Sequence, residues 1–200
     1  MFDERMRWLK DGMFNPLAGW VSGWRPWVLS AVGLVCGLVG AWAFAFNWYL
    51  AGLILWFLNR LFDGLDGSVA RLYDKKSDLG GYVDIMFDFI VYAAIPVGLL
   101  WGAWTELGAV ALIFMLCTFY VNGASWMYLA AILEKRRAAN PEQLTTVVMP
   151  AGLVGAIETF IFYTLFMVWP GYLAELYIVF GLLVVVTVGQ RFWWAVRMLA

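Results

Sequence analysis

The chain contains no histidine. That absence excludes a Ser-His-Asp triad, a phosphohistidine intermediate and a His-ligated zinc. Cysteine is scarce: Cys36 and Cys117 lie in apolar stretches without paired spacing, and read as small core residues rather than a disulfide or a metal knuckle. Charge is scarce as well. Of 200 residues 14% are charged and 64% hydrophobic, about half the charged share of a soluble domain. A chain of this size could not hide so much apolar surface in one aqueous core. The net charge of −1 averages over whatever faces the chain presents and calls for no nucleic acid partner. No Ser- or Pro-rich linker divides the chain, so residues 1–200 read as a single membrane domain. Residues 1–15 lack the apolar core and small-residue cleavage site of a removable signal.

What the chain has instead is long apolar runs. A spanning helix needs roughly 20 mostly apolar residues. Six segments qualify, at 27–46, 49–72, 78–101, 106–134, 145–169 and 172–198. The expected fold class is therefore an all-α integral membrane protein of six transmembrane helices. Its short connections imply that consecutive helices pack as antiparallel neighbours. Phe2, Met6, Leu9 and Met13 recur at helical spacing between Arg5, Arg7 and Lys10, which predicts a short N-terminal amphipathic helix at the interface. Basic residues gather at the N-terminus, between segments 2 and 3, between segments 4 and 5, and near the C-terminus. The turns near Asn47, Trp104 and Pro170 hold none. The positive-inside rule then puts both termini and the basic connections in the cytoplasm. The 13 tryptophans, many near span ends, fit aromatic belts.

The second and third segments break the apolar rule. They contain Asp63-Gly-Leu-Asp66-Gly67-Ser-Val-Ala70-Arg71 and then Gly80-Gly-Tyr-Val-Asp84-Ile-Met-Phe-Asp88. An ionised carboxylate at membrane depth is costly and marks a functional site by default. Asp63 and Asp66 are one helical turn apart, as are Asp84 and Asp88. A connection near Asp74 to Asp78 folds the two segments toward each other. Asp63 and Asp88 then lie at matching depth, on the order of 14 Å from the helix ends. Four carboxylates at one spot repel strongly at low dielectric. Arg71 alone is too little counter-charge, so the pattern calls for hard cations. All-oxygen ligands suit magnesium or manganese, and two such ions form a clamp suited to phosphoryl chemistry. Gly67 lets a ligand approach the backbone beside Asp66, Ala70 keeps the next turn small, and Arg71 offers a fork for phosphate oxygens. A cation transporter or channel would also use intramembrane acids. It would not need Gly67, Ala70, Arg71 and Gly80 at these offsets.

The pattern resembles the signature of the CDP-alcohol phosphotransferases (CDP-alcohol phosphatidyltransferases): Asp-x-x-Asp-Gly-x-x-Ala-Arg, eight residues, then Gly-x-x-x-Asp-x-x-x-Asp. All eight fixed positions are present, as Asp63, Asp66, Gly67, Ala70, Arg71, Gly80, Asp84 and Asp88, and the gap Leu72 to Leu79 fits. The resemblance implies a phospholipid-synthesising transferase. It would move a phosphatidyl group from CDP-diacylglycerol to the hydroxyl of a small alcohol and release CMP; a different CDP-alcohol donor is the alternative. It implies that Asp63, Asp66 and Asp84 hold Mg2+ or Mn2+, with two ions, and that Asp88 is the general base near or on a metal. Gly67 and Arg71 would contact the CDP moiety, with Ala70 and Gly80 as small positions beside it and Ser77 reaching the donor's phosphates. It further implies a bacterial inner (plasma) membrane setting with a cytoplasmic active site, and it allows a homodimer. Many members carry Pro-Asn-x-x-Thr/Ser before the first span; here Pro26-Trp27-Val28-Leu29-Ser30 puts Trp27 in place of Asn. The acceptor is not assigned. Asn122 and Glu158, expected at similar depths in segments 4 and 5, read as an interhelical hydrogen bond or as the lining of an acceptor pocket. Lys135, Arg136 and Arg137 read as topogenic charges at lipid headgroups or as a surface that greets an anionic acceptor.

Overall fold

The computed structural model describes residues 14–139 and 152–199, and all of its regular structure is helical. The amphipathic helix expected before residue 14 and the polar stretch around Pro141 lie outside the described residues. A short helix, α1 (residues 14–18), precedes α2 (Pro26–Ala45), α3 (Tyr49–Leu72), α4 (Asp78–Gly102), α5 (Glu106–Ala139), α6 (Ala156–Val168) and α7 (Leu173–Leu199). Among the described residues four helical stretches are long and apolar enough to cross a membrane: Pro26–Ala45, Asp78–Gly102, Glu106–Arg136 and Pro170–Leu199. α3 has the length, at 24 residues, but carries Arg60, Asp63, Asp66 and Arg71. Large apolar side chains face outward along several helices, among them Leu50, Val110, Ile113 and Val185. That is the surface expected of a chain whose solvent is lipid, and the protein is an integral membrane protein.

The described part of the fifth segment is shorter than the sequence suggested. Residues 152–155 are not helical, and α6 starts at Ala156 with 13 residues. Gly155 stands at its N-cap, and the Gly155 N–H donates to Glu158 Oε2 at 2.9 Å. Glu158 is thus an exposed first-turn residue that satisfies a helix end rather than a partner of Asn122.

The chain groups into two compact units, residues 1–103 and 104–200. In the first, α2 packs along both α3 and α4, whereas the α3 and α4 backbones make few close approaches. The expectation that neighbours in sequence pair directly therefore holds for α2 with α3 but not for α3 with α4. α2 can serve two partners because most of its buried residues are small, Ser30, Gly33, Gly37, Gly40, Ala41 and Ala43, with Leu29 and Phe44 the exceptions toward its two ends. A Cβ at Gly37 would meet the Val91 side chain, and one at Gly98 of α4 would meet the Ala41 backbone. Trp56, Phe44, Ile95, Leu99 and Val91 fill the space below. In the second unit α5 packs along α7, and Phe162, Tyr163, Phe166, Tyr177 and Phe180 form an aromatic cluster between α6 and α7. Arg191, 7% exposed on α7, donates to Asn122 Oδ1 at 2.6 Å, so the interhelical partner of Asn122 is this arginine. Arg136 donates to the Met198 and Leu199 carbonyls at 3.0 Å each, capping the C-terminal end of α7. Lys135 is exposed, and the Arg137 side chain lies outside the described set.

Gly98→Ala is expected to destabilise the protein by about 2 kcal/mol, because the new methyl meets backbone that cannot step aside. Gly81→Ala, with nothing within 4 Å of the added Cβ, is the control expected to change little. Unfolding of both variants in detergent checks the contrast.

Candidate active site

The two halves of the motif come from α3 and α4. Asp63 and Asp66 lie on successive turns of α3, and Asp84 and Asp88 on successive turns of α4. The spacing between the helices leaves a small, partly open cavity lined by Asp63, Asp84, Asp88, Asn59, Ser30 and Gly33, with Leu34 and Phe87 supplying apolar wall. Asp63, Asp84 and Asp88 are half-buried and Asp66 is buried. Asp63 lies within electrostatic reach of the other three carboxylates and of Arg60.

Each acid has a distinct neighbour. The Ser30 hydroxyl, on α2, donates to Asp66 Oδ2. Arg60 NH2 donates to Asp88 Oδ1 at 2.6 Å, and its NH1 stands 3.6 Å from Asp63 Oδ2. Arg60 Nε donates to Asn59 Oδ1 at 2.8 Å, and Asn59 Nδ2 donates to the Gly33 carbonyl at 2.8 Å. Arg60 NH1 also donates to the Tyr92 hydroxyl at 2.8 Å, and the guanidinium carbon sits 5.0 Å from the ring centres of Trp56 and Tyr92. Counting Arg71 as the available counter-charge therefore missed the cation that touches two of the acids. The signal was in the sequence: an arginine one helical turn before Asp63 shares its face.

The remaining motif residues flank this cluster. A Cβ at Gly67 would come 3.1 Å from Arg71 NH1, so the missing side chain makes room for the guanidinium, whose NH2 donates to Ser68 Oγ at 3.3 Å. Ser77 is the N-cap of α4, its oxygen accepting from Gly80 N at 3.0 Å, which leaves its own O–H to donate. Ala70 lies on the last turns of α3. Trp27, on the first turn of α2, is exposed and lines no part of the cavity, whereas Ser30 one turn later does. The connection between α3 and α4 is tied down by Lys75, whose ammonium donates to the carbonyls of Ser22 at 2.6 Å and Trp24 at 3.3 Å.

The donor set suits a hard cation: four carboxylates and no nitrogen or thiolate ligand, with one guanidinium in direct contact. Among the described residues no three acidic side chains converge as a ready ligand shell. Asp88 and Asp63 are turned to Arg60, and Asp66 to Ser30.

A sequence model of the CDP-alcohol phosphatidyltransferases matches residues 24–193, which spans both compact units. The chain belongs to the CDP-alcohol phosphatidyltransferase family. Among curated proteins it is 35% identical over 172 residues to the inner membrane protein YnjF of Escherichia coli K12, covering 86% of this chain and 82% of that protein. It is 34% identical over 79 residues to the phosphatidylcholine synthase of Pseudomonas aeruginosa, 38% of this chain and 33% of that one. Among solved structures, the phosphatidylinositol phosphate synthase PgsA1 of Mycobacterium tuberculosis has the same fold. Its complex with manganese and citrate aligns at a TM-score of 0.67 with 24% identity, over 88% of this chain and 86% of that one. Its form with CDP-DAG bound aligns at 0.65 with 24% identity, over 88% and 90%. The CDP-alcohol phosphatidyltransferases are transferases of phospholipid biosynthesis, and that is the class of this enzyme.

Proposed function

We propose that the enzyme transfers the phosphatidyl group of CDP-diacylglycerol to the hydroxyl of a small alcohol. The observation that carries this reading is the convergence of Asp63, Asp84 and Asp88 on one cavity between α3 and α4, with the rest of the family motif around it. The acceptor oxygen bonds to the β-phosphorus, the bond from that phosphorus to the bridging oxygen breaks, and CMP leaves with that oxygen. Asp88 takes the hydroxyl proton, since a general base must lie within hydrogen-bond reach of it. Asp63, Asp66 and Asp84, with Asp88 at the edge, would hold two Mg2+ or Mn2+ ions. When bound, these ions neutralise the diphosphate and the charge that develops on it. Ser30 orients Asp66 from α2. Arg71 binds phosphate oxygens of the CDP moiety over Gly67, and the Ser77 O–H serves as a further donor to them, with Ala70 and Gly80 keeping that side small.

The whole chain acts as one functional domain, which the span of the family match supports. It crosses the membrane six times, α3 and α6 included, with both termini and the site in the cytoplasm of a bacterial inner membrane. The lack of basic residues at three of the turns supports that orientation, and exposed aromatics there, Trp48, then Trp101 and Trp104, then Trp169 and Tyr172, fit a membrane interface. Glycerol 3-phosphate, inositol phosphate, serine and phosphatidylglycerol are the acceptors to screen, by CMP release and lipid product.

Three outcomes test this reading. Turnover should vanish in EDTA and return with magnesium or manganese; full CMP release in chelator would remove the metal-dependent mechanism. Single cysteines at positions 47, 104 and 172 should react with an impermeant reagent applied to sealed cells, and cysteines at 75 and 136 should not. Labelling at 75 would invert the topology. Finally, Asp88→Asn should lose about 100-fold or more in turnover while still binding CDP with magnesium. Asp66→Asn should weaken that binding itself. Calorimetry on the two variants separates the roles, and near wild-type turnover in Asp88→Asn would displace Asp88 as the base.

A further inference from the structure

We infer that Arg60 is a positioning residue for the transfer: its pinned guanidinium holds one oxygen of Asp88 and leaves the other to the acceptor hydroxyl. The inference rests on the transferase reading above and adds a residue outside the motif to it. Every nitrogen of the guanidinium is committed. Nε is held by Asn59, NH1 by the Tyr92 hydroxyl with Asp63 at 3.6 Å, and NH2 by Asp88 Oδ1 at 2.6 Å. Trp56 and Tyr92 each present a ring 5.0 Å from its central carbon. A planar cation held by rings and by acceptors around its edge has no free rotation left.

The chain of support runs deeper. Asn59 is 3% exposed and is fixed in turn by the Gly33 carbonyl, so the position of Arg60 is set from α2. Exposure falls in the order this role requires: the Asp88 side chain is 30% accessible and Arg60 13%. The carboxylate opens to the cavity and the guanidinium backs it. A carboxylate has two acceptor oxygens. With Oδ1 occupied by a short charge-assisted bond, Oδ2 is the one available to the proton of the alcohol. The same guanidinium reaches one acid on α3 and one on α4, and so sets their separation where the helices themselves make few contacts. A lysine could supply the charge but not the fork or the stacking.

Kinetics of the purified enzyme in detergent test the role, with CDP-diacylglycerol as donor and the four alcohols above as acceptors. Arg60→Gln and Arg60→Lys should each lower kcat by about 100-fold. KM for CDP-diacylglycerol should stay within about twofold, and calorimetric binding of CDP with magnesium should persist. Tyr92→Phe, which removes one tether and keeps the cation, should lower kcat by a factor of about 3 to 10. Added guanidinium ion should restore part of the turnover of Arg60→Ala, which a purely structural role would not allow. Should Arg60→Ala fail to fold, Arg60→Lys and Tyr92→Phe carry the decision. Wild-type kcat in Arg60→Lys, to within about threefold, would overturn the inference, as would loss of CDP binding in step with kcat. If the wild type itself releases no CMP with any of the four alcohols, the transferase reading falls and takes this inference with it. Wild-type turnover beside an unaffected Arg60→Lys removes this inference alone.

Discussion

Charge set between apolar helices has to be answered where it stands, and the first compact unit is organised around that requirement. Three carboxylates, Asp63, Asp84 and Asp88, line one narrow space between the helices, and a fourth, Asp66, stands beside it. Left alone they would force the helices apart, since their repulsion is poorly screened away from water. Arg60 answers two of them directly, and the Ser30 hydroxyl answers a third. The balance is incomplete by design: one guanidinium against four acids leaves a site with an appetite for further positive charge. The proposed metal-dependent transfer would draw on that deficit, whereas a pure packing device would have matched its charges.

The second constraint is steric. α3 and α4 do not lean on each other along their backbones, so their separation is fixed from outside by α2. The small residues of α2 let it come close to both helices at once. A bulkier α2 would widen the cavity by moving one wall. Asn59 joins the two constraints: it touches the Gly33 backbone with one end of its amide and Arg60 with the other. Packing and electrostatics are thus coupled through a single side chain.

Much of this was legible in the sequence. Apolar run length marked where the helices fall, and spacing put Asp63 with Asp66 and Asp84 with Asp88 on successive turns, because both signals depend on local geometry alone; of the four, Asp63, Asp84 and Asp88 line one cavity. What escaped notice depends on partners far along the chain. Arg60 takes its meaning from Tyr92 and Asp88 on another helix. Arg191 likewise defines the role of Asn122 across nearly seventy positions. Glu158 differs for another reason: an acid within an apolar run reads as mid-helix, whereas the helix begins beside it, at Gly155, whose N–H it accepts. Of the six expected spans, four are long, apolar helices among the described residues, while α3 is charged and the described helix of the fifth segment, α6, is short.

Lys75 grips main-chain oxygens of residues 22 and 24, not their side chains. Such a clasp reads the path of the backbone and is indifferent to what the backbone carries. Residues 22 and 24 can therefore drift in identity across descendants of this chain while the clasp survives. The lysine would stand out in an alignment as a residue with no covarying companion. Its partner is a shape, and a shape leaves no letter behind.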